Sequence, residues 1–404
     1  MKVLIICSDY KSELDANGIC VKNIASALKQ DGNSVYILSE KKQSPFTNHD
    51  DGIATVYYVK STLLKRTLDC HDNNSIYKIK LFIIRIIHAI ISIVLYPNVS
   101  PFRSRKVIEK ATEIVKKHNV DIVIGCYRPY ESIKAIMSIK KNNGIKTVAY
   151  HLDLLMEPND KSKVIRTFKK KKAKHSIIEE RRNVDFIILP ETERNKISGK
   201  NIMYAGFPLY IKECVNTESS IIFDYGVVNI TYIGSLDETN RNPIELLKVL
   251  SKLRVGRKPI IVHIWGKINS DSLEEQINAM ANVEYHGYIP HDQVLDVMRK
   301  SDFLLNISNK VTANMVPSKI FQMFSTGRGI INYVQSKEDV STKYFERYGF
   351  VFEIDQWKMR EFDYDILTTW ISENYGVICD IKENEFKSCT PEYFVSLLKR
   401  IEHI

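Results

Sequence analysis

The stretch Asn314–Tyr333, NMVPSKIFQMFSTGRGIINY, decides the fold of the second half of the chain. Apolar residues recur at helical spacing after Pro317, the TGRG segment at residues 326–329 ends the helix, and a β-branched run follows. A helix joined directly to a short buried strand is the repeating unit of a parallel α/β sheet. The N–H groups of the first turn at Ser318, together with the charge of Lys319, predict an anion site where this helix begins. A plain capped helix is the alternative.

The same alternation extends outward from this stretch in both directions. It begins with KVLIIC at residues 2–7 and a helix predicted at Ile19–Gln30, and it restarts with VNITYIG at residues 228–234. Strands that alternate with helices predict parallel sheets. The sequence therefore predicts an α/β chain of two Rossmann-like, doubly wound domains facing across a cleft. Ligands of such domains bind beyond the carboxyl ends of the strands.

Length and composition fit two domains. A chain of 404 residues is too long for one ordinary core, and 44% apolar residues supply material for two. We predict an N-terminal domain over residues 1–200 and a C-terminal domain over residues 201–385. A closing segment, residues 386–404, carries a helix predicted at Pro391–Ile404, and packing back on the N-terminal domain is one of its possible placements.

Charge and cysteine usage narrow the partners and the compartment. The 58 Lys and Arg residues exceed the 48 Asp and Glu residues, and the net charge of +10 favours an anionic partner: nucleotide phosphate, nucleic acid or an acidic membrane. The seven cysteines are scattered without a C-x-x-C pair, so neither a disulfide framework nor a zinc site is indicated. The apolar run Val3–Cys7 is too short for a signal-peptide core. These features predict a cytoplasmic protein.

Two loops that follow predicted strands of the second half carry cations. In YIGSLDETNRNP, residues 232–243, Gly234 permits close backbone approach and Arg241 can hold phosphate through two parallel hydrogen bonds. Lys319 follows the other strand. Together the two loops predict binding of a diphosphate. A strand-end turn with a solvated arginine is the alternative.

The N-terminal half offers weaker candidates. His151 lies at the end of the predicted strand KTVAYHL and can act as a hydrogen-bonding or acid–base group, although such a histidine is more often structural. Gly18 stands before a predicted helix and gives backbone access to a ligand, which a simple N-cap turn explains equally well. Neither half has G-x-G-x-x-G after its first strand, so dinucleotide binding loses support.

A basic run lies on a predicted helix within residues 161–182. Its consecutive lysines are Lys169, Lys170, Lys171 and Lys172. The run is either a solvated face or a patch for anionic lipid or a polyanionic acceptor. Nucleic acid is not favoured as a partner, because aromatic residues are not interleaved with the lysines.

The stretch Leu81–Tyr96 is almost wholly apolar. It is too short to span a membrane and carries Arg85 midway. Two interpretations stay open: a buried helix, or an interfacial helix whose apolar face enters a bilayer while Lys78, Lys80 and Arg85 meet anionic lipid.

Taken in order, these motifs resemble the GT-B-fold glycosyltransferases, most closely the family 4 type of retaining enzymes. The resemblance covers nearly the whole chain. It is carried by KVLIICSDY with NGICVKNIASALKQ, by YHLD, VDFIILPETE and YIGSLDETNRNP, and most specifically by EYHGYIPHDQVLDVMRKSDFLLNIS followed by VPSKIFQMFSTGRGII.

The resemblance implies a nucleotide-sugar donor bound by the C-terminal domain and a glycan or lipid-linked acceptor held by the N-terminal domain. It implies synthesis of a bacterial-type surface polysaccharide, with contact to the inner face of the plasma membrane, and transfer with retention. No metal or other cofactor is implied, because cationic side chains neutralise the leaving diphosphate. By position, Arg241 and Lys319 meet the diphosphate and His151 contacts the transferred sugar. The implied donor-binding set is Gly18, Gly234, Ser235, Tyr288 near the base, Asn314, Ser318 and Gln322.

The chain departs from the family pattern at several positions. Two glutamates eight residues apart are replaced by Asn314 and Gln322, whose amides hydrogen-bond hydroxyls without charge. The usual arginine after the strand-end glycine is Ser235, and the usual lysine is Asn240, which Arg241 follows. Two further classes therefore stay open: a binding or scaffold subunit without chemistry, and an enzyme that isomerises or hydrolyses a sugar nucleotide without an acceptor.

Overall fold

The computed structural model describes residues 1–8, 10, 16–41, 47–68, 75–98, 100–127, 129–143, 145–152, 162–211, 221–313, 316–381 and 385–403. The chain divides into two compact units. The first unit combines Met1–Pro208 with Ser388–Ile404, and the second is Leu209–Lys387. Each is built on one mainly parallel sheet with helices between the strands, as the alternating pattern predicts.

The first unit contains an eight-stranded sheet within its described residues. Its strands are β1 Lys2–Ile6, β2 Ser34–Lys41, β3 His49–Asp50, β4 Thr55–Lys60, β5 Ile122–Tyr127, β6 Lys146–His151, β7 Phe186–Pro190 and β8 Ile202–Ala205. Its helices are α1 Ala16–Gln30, α2 Leu63–Leu68, α3 Ser75–Val94, α4 Pro101–His118, α5 Tyr130–Asn143, α6 Lys163–Asn183 and, from the end of the chain, α13 Pro391–Glu402. The strand order is β3-β4-β2-β1-β5-β6-β7-β8, and the described pairs are parallel apart from β3 with β4.

The closing helix α13 belongs to the first unit. Lys146 Nζ donates to the carbonyls of Ile401 and Glu402, both at 2.8 Å, and so places a cation on the last turn of α13. At the other end of the helix, the ring of Phe394 lies 4.7 Å from that of Tyr150 on β6. The described closing segment therefore completes the core of the first unit.

Over the part of the second unit that the structure describes, the strands form a seven-stranded sheet. Its strands are β9 Val228–Ile233, β10 Arg254–Val255, β11 Lys258–Trp265, β12 Val283–Gly287, β13 Phe303–Ile307, β14 Gly329–Val334 and β15 Val351–Asp355. Its helices are α7 Ile244–Leu250, α8 Asp271–Asn278, α9 His291–Lys300, α10 Lys319–Phe324, α11 Thr342–Tyr348 and α12 Tyr364–Asn374. The order is β10-β11-β9-β13-β14-β15, with β12 also paired to β11. The first strand, β9, thus lies between β11 and β13, which makes it the switch point of the sheet.

Two predicted helix starts are wrong. Helix α1 begins at Ala16 rather than Ile19, so Gly18 lies inside its first turn and is buried. The helix of the opening stretch begins at Lys319 and has only six residues, so Pro317 and Ser318 precede it. The low helix propensity of Gly18 is outweighed by burial of the apolar face of α1, which includes Val21.

Candidate functional site

Two loops of the second unit come together at the switch point. Strands β9 and β13 are parallel neighbours, with Phe303 opposite Ile230. One loop follows β9 over residues 234–243, and the other follows β13 from Ser308. In a doubly wound sheet, the crevice that binds ligands lies beyond these strand ends.

Glycine is required where the first loop leaves β9. The Gly234 N–H donates to the carbonyl of Trp265 at 2.9 Å. A Cβ on Gly234 would lie 2.6 Å from the Tyr232 hydroxyl, and one on Gly266, whose φ is +124°, would lie 2.1 Å from the Gly234 carbonyl oxygen. Side chains are therefore excluded from both positions, and the two strand ends pack backbone against backbone. Ser235, the next residue, is exposed, and its carbonyl accepts from the Tyr232 hydroxyl at 3.0 Å.

Asp237 and Asn240 hold the shape of this loop. The Asp237 carboxylate accepts from the backbone N–H groups of Thr239 at 2.9 Å and Asn240 at 2.7 Å. The Asn240 side chain reaches the second loop, where its Oδ1 accepts from the N–H of Val311 at 2.8 Å and that of Thr312 at 3.2 Å. The amide of Asn240 thus has a structural role that the charge of a lysine would not supply.

Arg241 is positioned by Asn309 of the second loop. Its Nε donates to Asn309 Oδ1 at 2.8 Å, and the same oxygen accepts from Asn240 Nδ2 at 3.2 Å. Since Nε is held, the orientation of the guanidinium is set before any ligand arrives. Sequence reasoning missed Asn309, although an asparagine just past a buried strand end was a signal that could have found it.

Arg241 and Lys319 lie close enough to influence each other. Burial, with a further contribution from the Arg241 charge, lowers the pKa of Lys319 to about 8. Within the described residues, no carboxylate lies at ion-pair distance from either cation, and the nearby Asp237 is engaged by the N–H groups of its own loop. The two loops thus bring two cations near each other at the switch point, while their binding of a diphosphate stays a prediction.

A second polar group lies on α10, three residues beyond Lys319. Gln322 is buried on α10, and its Nε2 is 3.4 Å from His291 Nε2. His291 is the first residue of α9, and Tyr288, three residues earlier, is 58% exposed after β12. The structure therefore connects Gln322 to the segment that carries Tyr288, and it adds His291, which sequence reasoning did not select. Asn314 lies outside the described residues.

His151 in the first unit has a partner within the protein. Its Nε2 lies 2.6 Å from Glu180 Oε1 on α6, and both side chains are at most 5% exposed. The ring of Tyr127 lies 5.3 Å from that of His151. This geometry favours the structural interpretation of the histidine, and its contact with a transferred sugar stays a prediction.

The two predicted surface segments of the first unit adjoin one another. Lys172 Nζ on α6 donates to the carbonyl of Val94 at the end of α3, and Lys169 Nζ lies 5.4 Å from the centre of the Tyr96 ring. Lys169 itself is buried, whereas Lys170 and Lys171 are exposed. The predicted four-lysine solvent patch is therefore reduced, because packing against the aromatic ring covers its first member.

Helix α3 exposes its apolar side chains. Phe82 is 64% exposed and Ile79 is 61% exposed, whereas Ile84 is buried. Other exposed apolar residues of this helix include Ile83, Ile86, Ile87, Ile90 and Val94. The interpretation of this stretch as a buried helix is wrong. None of the described helices combines the length and the apolar character needed to cross a bilayer.

Comparison with known proteins identifies solved structures that share this architecture. No family model and no curated protein matches the chain. Among solved structures, the E. coli trehalose-6-phosphate protein bound with UDP-2-fluoro glucose has a TM-score of 0.59 at 8% identity, covering 100% of this chain and 99% of that one. A glycosyltransferase from Rickettsia africae has a TM-score of 0.54 at 16% identity, covering 99% and 97%. The UDP-GlcNAc 2-epimerase from Methanocaldococcus jannaschii has a TM-score of 0.54 at 10% identity, covering 99% and 100%.

These similarities extend over both units. Because the sequence identities are low, they show a shared fold and nothing further. The shared architecture occurs in glycosyltransferases and in epimerases that act on a sugar nucleotide. The expected fold is confirmed: the chain has the GT-B fold, with two Rossmann-like units.

Proposed function

We propose that this protein is a glycosyltransferase that takes a sugar from a nucleotide-sugar donor bound by the second unit. Its acceptor is a glycan or a lipid-linked glycan of a surface polysaccharide, and transfer proceeds with retention. The observation that carries the proposal is the adjacency of Arg241 and Lys319 at the switch point, without a carboxylate at ion-pair distance in the described residues.

Two adjacent cations suit a diphosphate leaving group. In the absence of ligand they repel each other, and a diphosphate relieves that repulsion while accepting hydrogen bonds from both. As the bond from the sugar to the diphosphate breaks, negative charge grows on the leaving oxygen, and preorganised cations stabilise it. Gln322, His291 and Tyr288 are the side chains that we assign to the nucleoside.

Thermal-shift titration with UDP, GDP, ADP, CMP and their sugar conjugates tests this assignment. A ligand that binds only the folded protein raises its melting temperature by mass action. We expect one nucleotide class to raise it in the wild type and in the control Arg254→Ala, whose side chain is exposed, and not in Arg241→Ala. A shift for no nucleotide, or an equal shift in Arg241→Ala, contradicts the proposal.

Two rival functions are separated by product analysis. An enzyme that isomerises or hydrolyses the donor, an alternative supported by the fold of the M. jannaschii 2-epimerase, consumes it without any acceptor. A scaffold subunit forms no product although it folds stably. We expect consumption to depend on acceptor, and turnover in the donor-only control identifies the rival enzyme.

We further propose that the first unit contacts an anionic membrane through α3 and the lysines of α6. An apolar helix face with this exposure is typical of a surface that binds a membrane or a partner. The adjoining Lys170 and Lys171 suit anionic headgroups. In this arrangement the apolar side chains of α3 insert among the acyl chains, and the lysines lie at the level of the headgroups.

Co-sedimentation with liposomes tests the membrane contact. We expect binding that needs anionic lipid and weakens with salt, since each basic residue near the surface contributes about 1 kcal/mol. Ile86→Glu with Ile90→Glu should abolish it, and Lys170→Gln with Lys171→Gln should weaken it by roughly tenfold or more. The matched control is Lys116→Gln with Lys117→Gln on α4, both exposed. Binding that is indifferent to lipid charge and to these variants contradicts the proposal.

A further inference from the structure

Three potential metal ligands converge at the edge of the second sheet. His263 lies on β11 and pairs in register with Glu284 on β12, and His286 follows on the same face of β12. His263 Nδ1 is 3.1 Å from His286 Nε2 and 3.2 Å from Glu284 Oε2, and the last two atoms are 3.5 Å apart. The three atoms form a nearly equilateral triangle.

The hydrogen bonds behind His263 determine which of its nitrogens carries a lone pair toward this triangle. Asn229 Nδ2 donates to the carbonyl of Asp224 at 2.9 Å and to Asp302 Oδ2 at 3.2 Å, which fixes the orientation of its amide. Asn229 Oδ1 therefore faces His263 Nε2, at 3.0 Å, and must accept its proton. Nδ1 of the same ring is then unprotonated, as a metal ligand must be.

The dimensions of the triangle match those of a metal site. Ligands about 2.0–2.1 Å from a tetrahedral ion lie roughly 3.3 Å from one another. Each of the three observed separations, 3.1, 3.2 and 3.5 Å, is within a few tenths of that value. Two imidazoles and a carboxylate form a donor set that zinc and neighbouring divalent transition metals accept.

The triangle is buried on the side of His263 and open to solvent on the side of Glu284 and His286. His263 is buried, with the ring of Phe223 at 4.7 Å, and Trp265 stacks on His286 at 4.3 Å. Glu284 and His286 have side chains 54% and 33% exposed, so an ion can enter from solvent and keep a water as its fourth ligand.

We propose that His263 Nδ1, His286 Nε2 and the Glu284 carboxylate bind one divalent transition-metal ion, with zinc as the ion of choice, and that water completes its tetrahedron. The ion ties the edge strand β12 to β11. Tyr288 lies two residues beyond His286, so bound metal also restrains the segment that carries this residue. Sequence reasoning looked for metal ligands through cysteine spacing and missed this set, because His263 and Glu284 become neighbours only through the pairing of two strands.

Zinc binding by the full chain tests the site directly. After chelator treatment and removal of any affinity tag, the protein is dialysed against Zn²⁺ and its metal content is measured. We expect about one ion per chain in the wild type, and affinity lowered at least tenfold in His286→Gln and in Glu284→Gln, given the usual loss on removing part of a site. Both side chains are partly exposed, so these variants should fold, and circular dichroism checks this.

Matched controls are His175→Gln and Glu275→Gln, which change exposed residues outside the triangle. They should bind like the wild type. Zinc should also raise the melting temperature of the wild type and the controls, and should leave that of the two site variants unchanged. No retained ion, or equal retention in the site variants, overturns the proposal and leaves the three groups as a hydrogen-bonded cluster.

Discussion

The two Rossmann-like units differ in whether the polar side chains at their strand ends have partners within the protein. In the first unit, His151 at the end of β6 is bonded to Glu180, and both side chains are buried. In the second, Arg241 and Lys319 lie near each other with no carboxylate at ion-pair distance among the described residues. The sheet topologies are alike, so topology does not distinguish a structural strand end from a ligand-binding one. What distinguishes them is whether the protein itself places a partner within ion-pair distance of the group at the strand end.

The largest effect expected from this comparison concerns the first unit. His151→Leu leaves the Glu180 carboxylate buried without its partner, and breaking a buried pair in this way costs about 3–5 kcal/mol. We expect a large fall in the denaturant midpoint of the first unit, with nucleotide binding by the folded protein preserved. Replacing both residues, His151→Leu with Glu180→Met, should restore most of the stability. Loss of transfer at unchanged stability would instead show that His151 contacts the sugar.

In the second unit, removal of a strand-end cation should raise the stability of the ligand-free protein rather than lower it. Lys319→Gln removes a cation whose pKa burial and Arg241 have lowered to about 8, so the ligand-free protein should melt at a slightly higher temperature. Donor affinity should fall by roughly ten- to a hundredfold, since a charge-assisted hydrogen bond contributes about 1.5–3 kcal/mol. Thermal melts and calorimetric titration measure the two effects, with exposed Lys252→Gln as the control. Lower stability together with unchanged affinity contradicts a binding role.

Donor affinity should also depend on pH above about 8, the pKa of Lys319 in the free protein. The ammonium is charged below that pH, and a bound diphosphate favours the charged form, so binding at higher pH must take up a proton. We expect affinity to weaken by up to about tenfold per pH unit above 8. Lys319→Arg, which stays charged, should lack this dependence. Titrations in buffers of different ionisation enthalpy count the protons, and identical profiles for the two proteins contradict the assignment.

A smaller effect is expected at Asn309. It touches Arg241 through Oδ1 and has no assigned contact with the ligand, so it is a positioning residue. Asn309→Ala should lower donor affinity by a few-fold, because Arg241 loses one hydrogen bond of about 1 kcal/mol that holds it in place. Asn309→Asp, which keeps the acceptor but adds a negative charge beside Arg241, should weaken binding further. Equal affinity in all three proteins indicates that Arg241 needs no support from this loop.

The regular alternation of the chain was enough to predict most of the fold. The sequence predicts a short strand after the TGRG segment, and the structure has one at Gly329–Val334, because a β-branched run that follows a glycine-containing turn is a local signal. The strands Ile202–Ala205 and Val351–Asp355 were not predicted. Both lie at the edge of a sheet, and pairing with a neighbouring strand compensates for their weak local pattern.

Candidate site residues were predictable only where position along a strand determines them. Gly234, Arg241 and Lys319 follow strand ends, and that placement can be read from the sequence. The bond from Arg241 to Asn309 joins residues 68 apart, and the bond from His151 to Glu180 joins residues 29 apart. Contacts of this kind depend on how separate segments pack, and no local pattern reports them.

The sequence by itself therefore determined the α/β class, the two units and the strand ends where cations occur, because periodicity and turn residues act over short distances. Tertiary structure decided which groups at those strand ends have partners within the protein, which apolar helix faces solvent, and which residues form the histidine–glutamate triangle. The physical reason is that the energy of a charge, a metal ligand or an apolar face depends on its distance from distant parts of the chain and on its burial. Folding sets both of these quantities.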